Sequence, residues 1–386
     1  MKLSPYTRAV SLLLASTLML TAGACSSGTD FSIGGKQGPI TSDPAATATT
    51  TTTAPAETTA NVVTTKETVK KTTTKTTKPT TASGLQYEIK NGQVVILRYK
   101  GSEEQVTIPA SIGGYPVTEI GQEAFADRSR VRGVTIPSSV KTIGFRAFYN
   151  CGNLRSIILP DSVTELGTNV FELCVRLTNV TLPKGITTIP DGTFRDCEDL
   201  KNYTIPAGVK TIGDTAFRYC KSLSTLTIPN GVTTLGEECF AGCEKLASLE
   251  LPDTVTTVGK GAFSSCQELK RVQLSSALTA VSDSMFEYCA KLKAVSLPDK
   301  VTSVGSNAFA SCKILATVSL PQNLKTIGAE AFSGCGTLQN IRIPVSVTAI
   351  GQDAFLACHE KLTLVGTAGS TAQTYAAANK LRFREM

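Results

Sequence analysis

The chain has 386 residues, with 38 Lys and Arg against 31 Asp and Glu, one His and no Trp. A single imidazole excludes a metal site built from several His ligands, and a net charge of +7 is thin for a strongly basic nucleic-acid binder. The composition therefore argues against both metal and nucleic-acid partners.

The N-terminus has the pattern of a secretory signal. Lys2 and Arg8 precede an apolar run of about a dozen residues, and small residues lead to Cys25. The run is short for a membrane span, which needs roughly 20 apolar residues. Its end resembles a bacterial lipobox, in which the Cys is acylated, although Ala22 stands where Leu is usual. We expect residues 1–24 to be a signal peptide and the exported protein to be held at the membrane only by lipid on Cys25. An ordinary cleaved signal with a chance Cys is the alternative.

Residues 25–83 form the next predicted segment, a Thr-rich linker. The stretch 41–83 contains 19 Thr among 43 residues and almost nothing large and apolar. Such a chain buries too little surface to offset its ordering entropy, so disorder is predicted. A flexible chain of this length would hold the following domain roughly 40 Å from its anchor.

A repeat of 23 residues occupies most of the remaining chain. Phe recurs eleven times at this interval, and Cys follows three residues later in every copy except the first, where Arg128 stands. The repeated aromatic residues are Phe125, Phe148, Phe171, Phe194, Phe217, Phe240, Phe263, Phe286, Phe309, Phe332 and Phe355. The repeated thiols are Cys151, Cys174, Cys197, Cys220, Cys243, Cys266, Cys289, Cys312, Cys335 and Cys358. No unit this small can bury its apolar face alone, so the units are predicted to stack around one continuous core.

The unit that starts at Cys220 illustrates the expected coil. An alternating apolar pattern up to Ile228 predicts a short strand with one face inward. A second apolar pair, Val232 and Leu235, follows a turn. The final Phe and Cys lie one helical turn apart, which predicts a short helical segment with both side chains inward.

The consensus L-x-x-I-x-I-P, V-x-x-I-G and A-F-x-x-C over residues 106–365 resembles the bacterial BspA-like leucine-rich repeat family. The resemblance implies a repeat solenoid, mainly β with short helical segments, wound as a right-handed leucine-rich-repeat array of about eleven coils. It also implies a surface-exposed protein associated with adhesion or host-protein binding, and it indicates no particular ligand.

Both ends of the array have predicted caps. Residues 84–105 contain two strand patterns around Asn91–Gly92, a strong hairpin signal. Residues 366–386 contain an Ala-rich helical stretch, 370–379, and a final strand around Phe383. Caps of this kind cover the open core of a solenoid and keep it soluble.

The cysteine ladder has three possible interpretations. Thiolate metal sites usually show C-x-x-C spacing, whereas the only close pair here is Cys239 and Cys243. Stacking could bring neighbouring thiols within disulfide range, but five such bridges would distort otherwise identical coils. We expect buried free thiols that act as small hydrophobes, which is unusual for an exported protein.

The sequence contains no evident catalytic constellation. His359 lies just before the C-terminal cap without a nucleophile partner, and catalysis needs a positioned partner. Asp161, Asp253 and Asp299 each follow a Pro at a turn position and lie whole repeats apart. The repeated Gly residues are typical of turns and do not form a phosphate loop. The chain is therefore predicted not to be an enzyme and to use no cofactor.

The variable outward positions of the strands are the candidate binding surface. They include Arg155, Lys201, Lys270, Arg271, Lys293 and Arg342, with Tyr149, Tyr219 and Tyr288 at the helical edge. Lys270, Arg271 and Lys293 belong to two adjacent coils and predict a basic patch. Amphipathic rings favour interfaces, but few exposed residues are binding hot spots, so a solvated face is the alternative at any single position.

Signal, linker and array together predict a cell-surface anchored, monomeric protein that displays its solenoid for binding or adhesion to an extracellular protein or polysaccharide. A structural or assembly scaffold of the envelope is the alternative. An accessory enzyme or inhibitor is a more distant third.

Overall fold

The computed structural model describes residues 79–386, so the predicted signal peptide, Cys25 and the linker up to residue 78 lie outside the described residues. The last linker residues contact the first strand. The backbone N–H of Tyr87 donates to the Pro79 carbonyl at 3.1 Å, and that of Leu85 donates to Thr81 Oγ1 at 3.0 Å. The contacts of the N-terminal cap thus begin ahead of residue 84, where the sequence placed its boundary.

The described chain opens with an antiparallel hairpin of β1 (Leu85–Lys90) and β2 (Gln93–Tyr99). The connecting Asn91 and Gly92 have φ values of 53° and 72°. Positive φ at both central residues is what this two-residue turn requires, so the predicted hairpin is confirmed. β2 also pairs in parallel with β5 (Tyr115–Ile120), which joins the cap to the solenoid.

Two ladders of short parallel strands run along the solenoid. The long ladder consists of β3 (Gln105–Thr107), β6 (Gly133–Thr135), β8 (Ser156–Ile158), β10 (Asn179–Thr181), β12 (Asn202–Thr204), β14 (Thr225–Thr227), β16 (Ser248–Glu250), β18 (Arg271–Gln273), β20 (Ala294–Ser296), β22 (Thr317–Ser319), β24 (Asn340–Arg342), β26 (Thr363–Gly366) and β27 (Arg382–Glu385). Its hydrogen bonding is grouped into five blocks.

The short ladder begins with β2 and β5, and β4 (Ser111–Ile112) pairs antiparallel with β5. Its later strands are β7 (Thr142–Ile143), β9 (Glu165–Leu166), β11 (Thr188–Ile189), β13 (Thr211–Ile212), β15 (Thr234–Leu235), β17 (Thr257–Val258), β19 (Ala280–Val281), β21 (Ser303–Val304), β23 (Thr326–Ile327) and β25 (Ala349–Ile350). Within both ladders, pairs such as Tyr203 and Leu226 lie one 23-residue repeat apart, which confirms the in-register stacking.

The long ladder has thirteen strands, so the solenoid has about thirteen turns where eleven were predicted. The two additional turns are in the caps and use Tyr where the repeat has Phe. The ring of Tyr99 stacks on Phe125 at 5.3 Å, and that of Tyr375 meets Phe355 edge-on at 5.9 Å. The Phe period therefore undercounted the turns by one at each end.

The third edge of each coil is a run of turns, and the predicted helical segment at this place is wrong. Alternate N–H groups leave the coil: Phe217 donates to Cys239 O at 2.7 Å and Tyr219 donates to Ala241 O at 2.8 Å. An α-helix would keep these bonds within the segment, from each residue to the fourth before it. The backbone instead adopts positive φ at positions such as Thr215 and Tyr219, at 54° and 59°. Phe and Cys still point inward, but the turns bond each coil to the next.

The core is a stack of aromatic rings surrounded by aliphatic side chains. Successive repeat Phe rings are 5.1–5.8 Å apart between centroids. Such pairs contribute about 0.5–1.5 kcal/mol each beyond the burial of their area. Tyr203 enters the same stack between Phe194 and Phe217, and its buried hydroxyl has no partner among the described residues. Burial raises the pKa of Tyr203.

The C-terminal cap contains the one α-helix of the described residues, α1 (Thr371–Ala378), as predicted. Ala372 and Ala376 are its buried residues and face the end of the core. β27 then pairs in parallel with β26 and completes the long ladder.

The ladder cysteines are free thiols inside the core, as the sequence predicted. Each Sγ donates to the carbonyl oxygen of the Phe in the preceding coil, at 3.0–3.4 Å. Cys220, for example, reaches Phe194 O at 3.2 Å. Only Cys358, in the last repeat, is partly exposed.

Native protein is expected to react with iodoacetamide at Cys358 alone among these thiols, and slowly. Burial raises the pKa of Cys358 to about 11 and that of Cys266 to about 12. About one Cys358 thiol in a thousand is therefore ionised at pH 8, and the rate should rise roughly tenfold per pH unit. Site-resolved mass spectrometry measures the labelling, and guanidinium should expose all eleven thiols. Rapid native labelling of the ladder, or disulfide-linked peptides, would contradict this arrangement.

Candidate binding surface

The outward side of the long ladder, here called the strand face, carries the side chains at the fourth, fifth and seventh residues after each ladder Cys. Strand alternation places them there: in β18, Arg271 and Gln273 are exposed while Val272 is turned inward. The strand face therefore presents a new set of side chains in every coil on an invariant backbone.

Three predicted cations lie together on this face. Lys270, Arg271 and Lys293 line one shallow depression of about 610 Å³. Ser248, Glu250, Gln273 and Ala294 are also part of its lining. Three positive groups therefore face a single carboxylate at this site.

The acid nearest to the cluster along the chain is already engaged elsewhere. Glu268 accepts from Lys291 Nζ at 2.6 and 2.8 Å, and this contact, with Lys270 as a weaker contributor, lowers the pKa of Glu268. In the part of the chain that the structure describes, Lys270, Arg271 and Lys293 form no ion pair with any carboxylate. The cluster is thus free to pair with an external anion.

Two further depressions lie on the same face. One of about 660 Å³ adjoins the cluster and shares Gln273, with Asp299 and Lys300 in its lining. The other, of about 500 Å³, lies towards the N-terminal end. It contains Ile158, whose side chain is 68% exposed among amide and hydroxyl groups such as Asn179. The strand-face depressions and exposed Ile158 were not predicted from the sequence.

The other predicted cations share the face but not the cluster. Lys201 precedes Lys270 by three coils, which is roughly 14 Å of solenoid at the usual strand spacing. Arg342 lies three coils beyond Arg271, and Arg155 lies two coils before Lys201. All are exposed, so they form an interrupted row along the solenoid.

The predicted tyrosines lie on the turn edge, away from the strand ladder. Tyr149 and Tyr219 are half-buried, and the guanidinium groups of Arg146 and Arg218 cover their rings at 4.6 and 4.8 Å from the centroids. Tyr288 is 54% exposed. These rings are therefore not part of the basic depression.

A buried carboxylate on the turn edge escaped the sequence interpretation. Glu172 has a side chain only 8% exposed, between Arg146 at 3.4 Å and Arg195 at 3.7 Å. The partners lie one repeat before and after it, so an Arg–Glu–Arg alternation at this spacing was the available signal. Its contacts hold three successive coils together.

The acids considered for catalysis also bridge coils. Asp161 Oδ1 accepts the backbone N–H of Lys184 at 3.0 Å, and Asp253 Oδ1 accepts that of Ser276 at 2.8 Å. These bonds lower the pKa of both aspartates. His359 Nδ1 accepts the backbone N–H of Lys361 at 3.0 Å within a turn.

Two searches of the described residues were negative. Residues 79–386 contain no group of three or more His, Cys, Asp or Glu side chains arranged to hold a metal ion. Over the same range, no helix has the length and apolar character needed to cross a bilayer.

The stacked 23-residue coils, their two parallel ladders and their Phe-centred core define a leucine-rich-repeat solenoid. The chain belongs to the family described as BspA type leucine rich repeat region, whose model matches residues 118–247 and 233–361. The predicted family and fold are thereby confirmed.

Solved structures give the same assignment. A leucine rich cell surface protein from Faecalibacterium prausnitzii is 29% identical, with 79% of this chain and 94% of that chain covered and a TM-score of 0.55. A leucine-rich repeat protein from Bacteroides ovatus is 24% identical over 79% of this chain and 99% of that chain, with a TM-score of 0.54, and supports the fold alone. No curated protein sequence gives a significant match.

Proposed function

We propose that this protein is a bacterial cell-surface binding protein whose strand face recognises an extracellular protein or polysaccharide. The observation that carries the proposal is the basic depression, an unpaired group of three cations on a face that runs the length of the array. The similar protein from F. prausnitzii is described as a cell surface protein, which supports the location.

The proposed mechanism is display. Lipid on Cys25 holds the protein at the membrane, residues 25–83 act as a spacer, and the solenoid presents many weak contacts on a rigid frame. Rigidity favours binding because the surface loses little conformational entropy when it engages a partner.

Anchoring is tested by palmitate labelling of cells that produce the full chain. We expect label on the wild-type protein, loss of label with Cys25→Ala, and no change with the control Cys358→Ala. Protease applied to intact cells should cleave the wild-type protein. Label retained without the Cys25 thiol, or protection of the wild-type chain from protease, would count against surface anchoring.

Recognition is tested by probing arrays of extracellular proteins and polysaccharides with the full-length protein. We expect a saturable ligand whose binding falls when Lys270, Arg271 and Lys293 are changed to Gln. Capture of only a component of the native envelope would instead support the scaffold function. Turnover of a bound peptide or glycan would support an enzyme.

A further inference from the structure

We infer that the ligand of the strand face is a linear acidic polysaccharide, carrying carboxylate or sulfate groups, that lies along the solenoid axis. The inference rests on the proposed binding function and specifies its ligand class. It follows from how charge is distributed among the faces, from the length of the cationic row, and from the side chains between the cations.

The strand face and the turn edge have opposite charge. Outward strand positions carry Glu104 and Glu250 as their only carboxylates from β3 to β24, and Arg132 pairs with Glu104 at 3.2 Å. The six other cations are Arg155, Lys201, Lys270, Arg271, Lys293 and Arg342. The turn edge, taken from three residues before each repeat Phe to five after it, holds seventeen carboxylates and eleven cations. An anion approaching the solenoid is therefore attracted to the strand face and repelled by the turn edge.

The cationic row continues into the C-terminal cap. β27 places Arg382 and Arg384 on the outward side, with Glu385 as its only acid. Register alignment carries Arg342 across Val365 to Arg384, so the three arginines extend one surface. Neither cap arginine forms an ion pair within residues 79–386.

The length of this row indicates an extended ligand. From β8 to β27 the long ladder takes ten steps, or about 48 Å at the usual strand spacing. A compact anion would fill one depression and leave the other cations unused. A chain that runs along the axis could contact them all.

The spacing of the charges distinguishes the class of polymer. Eight unpaired cations over this length give about one per 6 Å, whereas duplex DNA carries one charge per about 1.7 Å. Binding to single-stranded nucleic acid also relies on aromatic stacking, and the described outward strand positions include no aromatic side chain. The match is better to a polymer with widely spaced acidic groups.

The side chains between the cations favour a sugar. Hydroxyl and amide groups dominate the intervening coils, as in Asn179, Thr181, Asn202, Thr225 and Thr227. These groups both donate and accept hydrogen bonds, which suits the hydroxyl groups of a glycan. Cations would then position the chain while the polar side chains contact its sugar rings.

The test uses full-length protein with dextran sulfate, polygalacturonate, neutral dextran and duplex DNA as probes at several salt concentrations. The strand-face variant combines Lys270→Gln, Arg271→Gln and Lys293→Gln. The matched control combines Lys141→Gln, Lys210→Gln and Lys325→Gln, exposed residues next to the short ladder. Both variants lose three charges and keep the same N-terminal segment, and thermal melting verifies that both fold.

We expect the wild-type protein to bind an acidic polysaccharide in preference to neutral dextran and DNA. The strand-face variant should lose at least about tenfold in affinity, and its salt dependence should fall by about three counterions. The control should retain wild-type binding. Equal losses in the two variants, preference for DNA, or no binding to either acidic polysaccharide would overturn the inference. A protein or neutral glycan found on the arrays would leave the proposed function standing while this inference fails.

Discussion

Replacement of Phe240 by Ala is expected to lower the free energy of unfolding by about 3–5 kcal/mol. Phe240 is fully buried, and its ring centroid lies 5.1 Å from Phe217 and 5.6 Å from Phe263. Truncation removes a large buried side chain and both ring contacts and leaves a cavity in a continuous stack. Guanidinium unfolding followed by circular dichroism measures the change.

Tyr288→Ala is the control for this substitution, because the Tyr288 ring is 54% exposed on the turn edge. It should alter stability by less than about 0.5 kcal/mol. Each coil contacts only its neighbours, so a cavity at Phe240 should also uncouple the two halves of the array and broaden the transition. Equal effects of the two substitutions would contradict the stacked core.

The core was predictable because a single interval governs it. Once Phe recurs every 23 residues, no arrangement other than stacking buries each ring such as Phe240 against two neighbours. The Phe and Cys pattern therefore determined the repeat and the inward side chains. The turn edge was not predictable in the same way, because an i, i+3 spacing fits both a helix and these turns. The choice depends on hydrogen bonds such as that from Tyr219 to Ala241, which form only after the coils stack.

The candidate surface was predictable to the extent that strand alternation decides it. Lys270, Arg271 and Lys293 occupy outward positions in adjacent coils, and the structure brings them together. The depression that they line depends on the curvature of the ladder, which no local pattern encodes. Arg384 was missed because its register with Arg342 is set across the cap.

Ala376→Glu is expected to release the C-terminal cap and to cause self-association. Ala376 is fully buried at the end of the core, in a helix whose Tyr375 contacts Phe355. An unpaired carboxylate at this position would cost several kcal/mol, more than so short a helix can recover elsewhere. The cap should therefore detach and expose Phe355 and the edge of β26, since uncovered solenoid ends and strand edges pair with other chains. Light scattering after gel filtration would detect the larger species.

Ala377→Glu provides the comparison, because Ala377 is the next residue of the same helix but is exposed. The two variants have the same composition and net charge and nearly equal helix propensity, so they differ only in the face that carries the carboxylate. The Ala377 variant should stay monomeric and resist proteolysis between β26 and α1, whereas the Ala376 variant should be cleaved there. If both variants remained monomeric and resistant to protease, the buried contact of α1 would not be what closes the array. The soluble display of the strand face would then have to depend on another part of the chain.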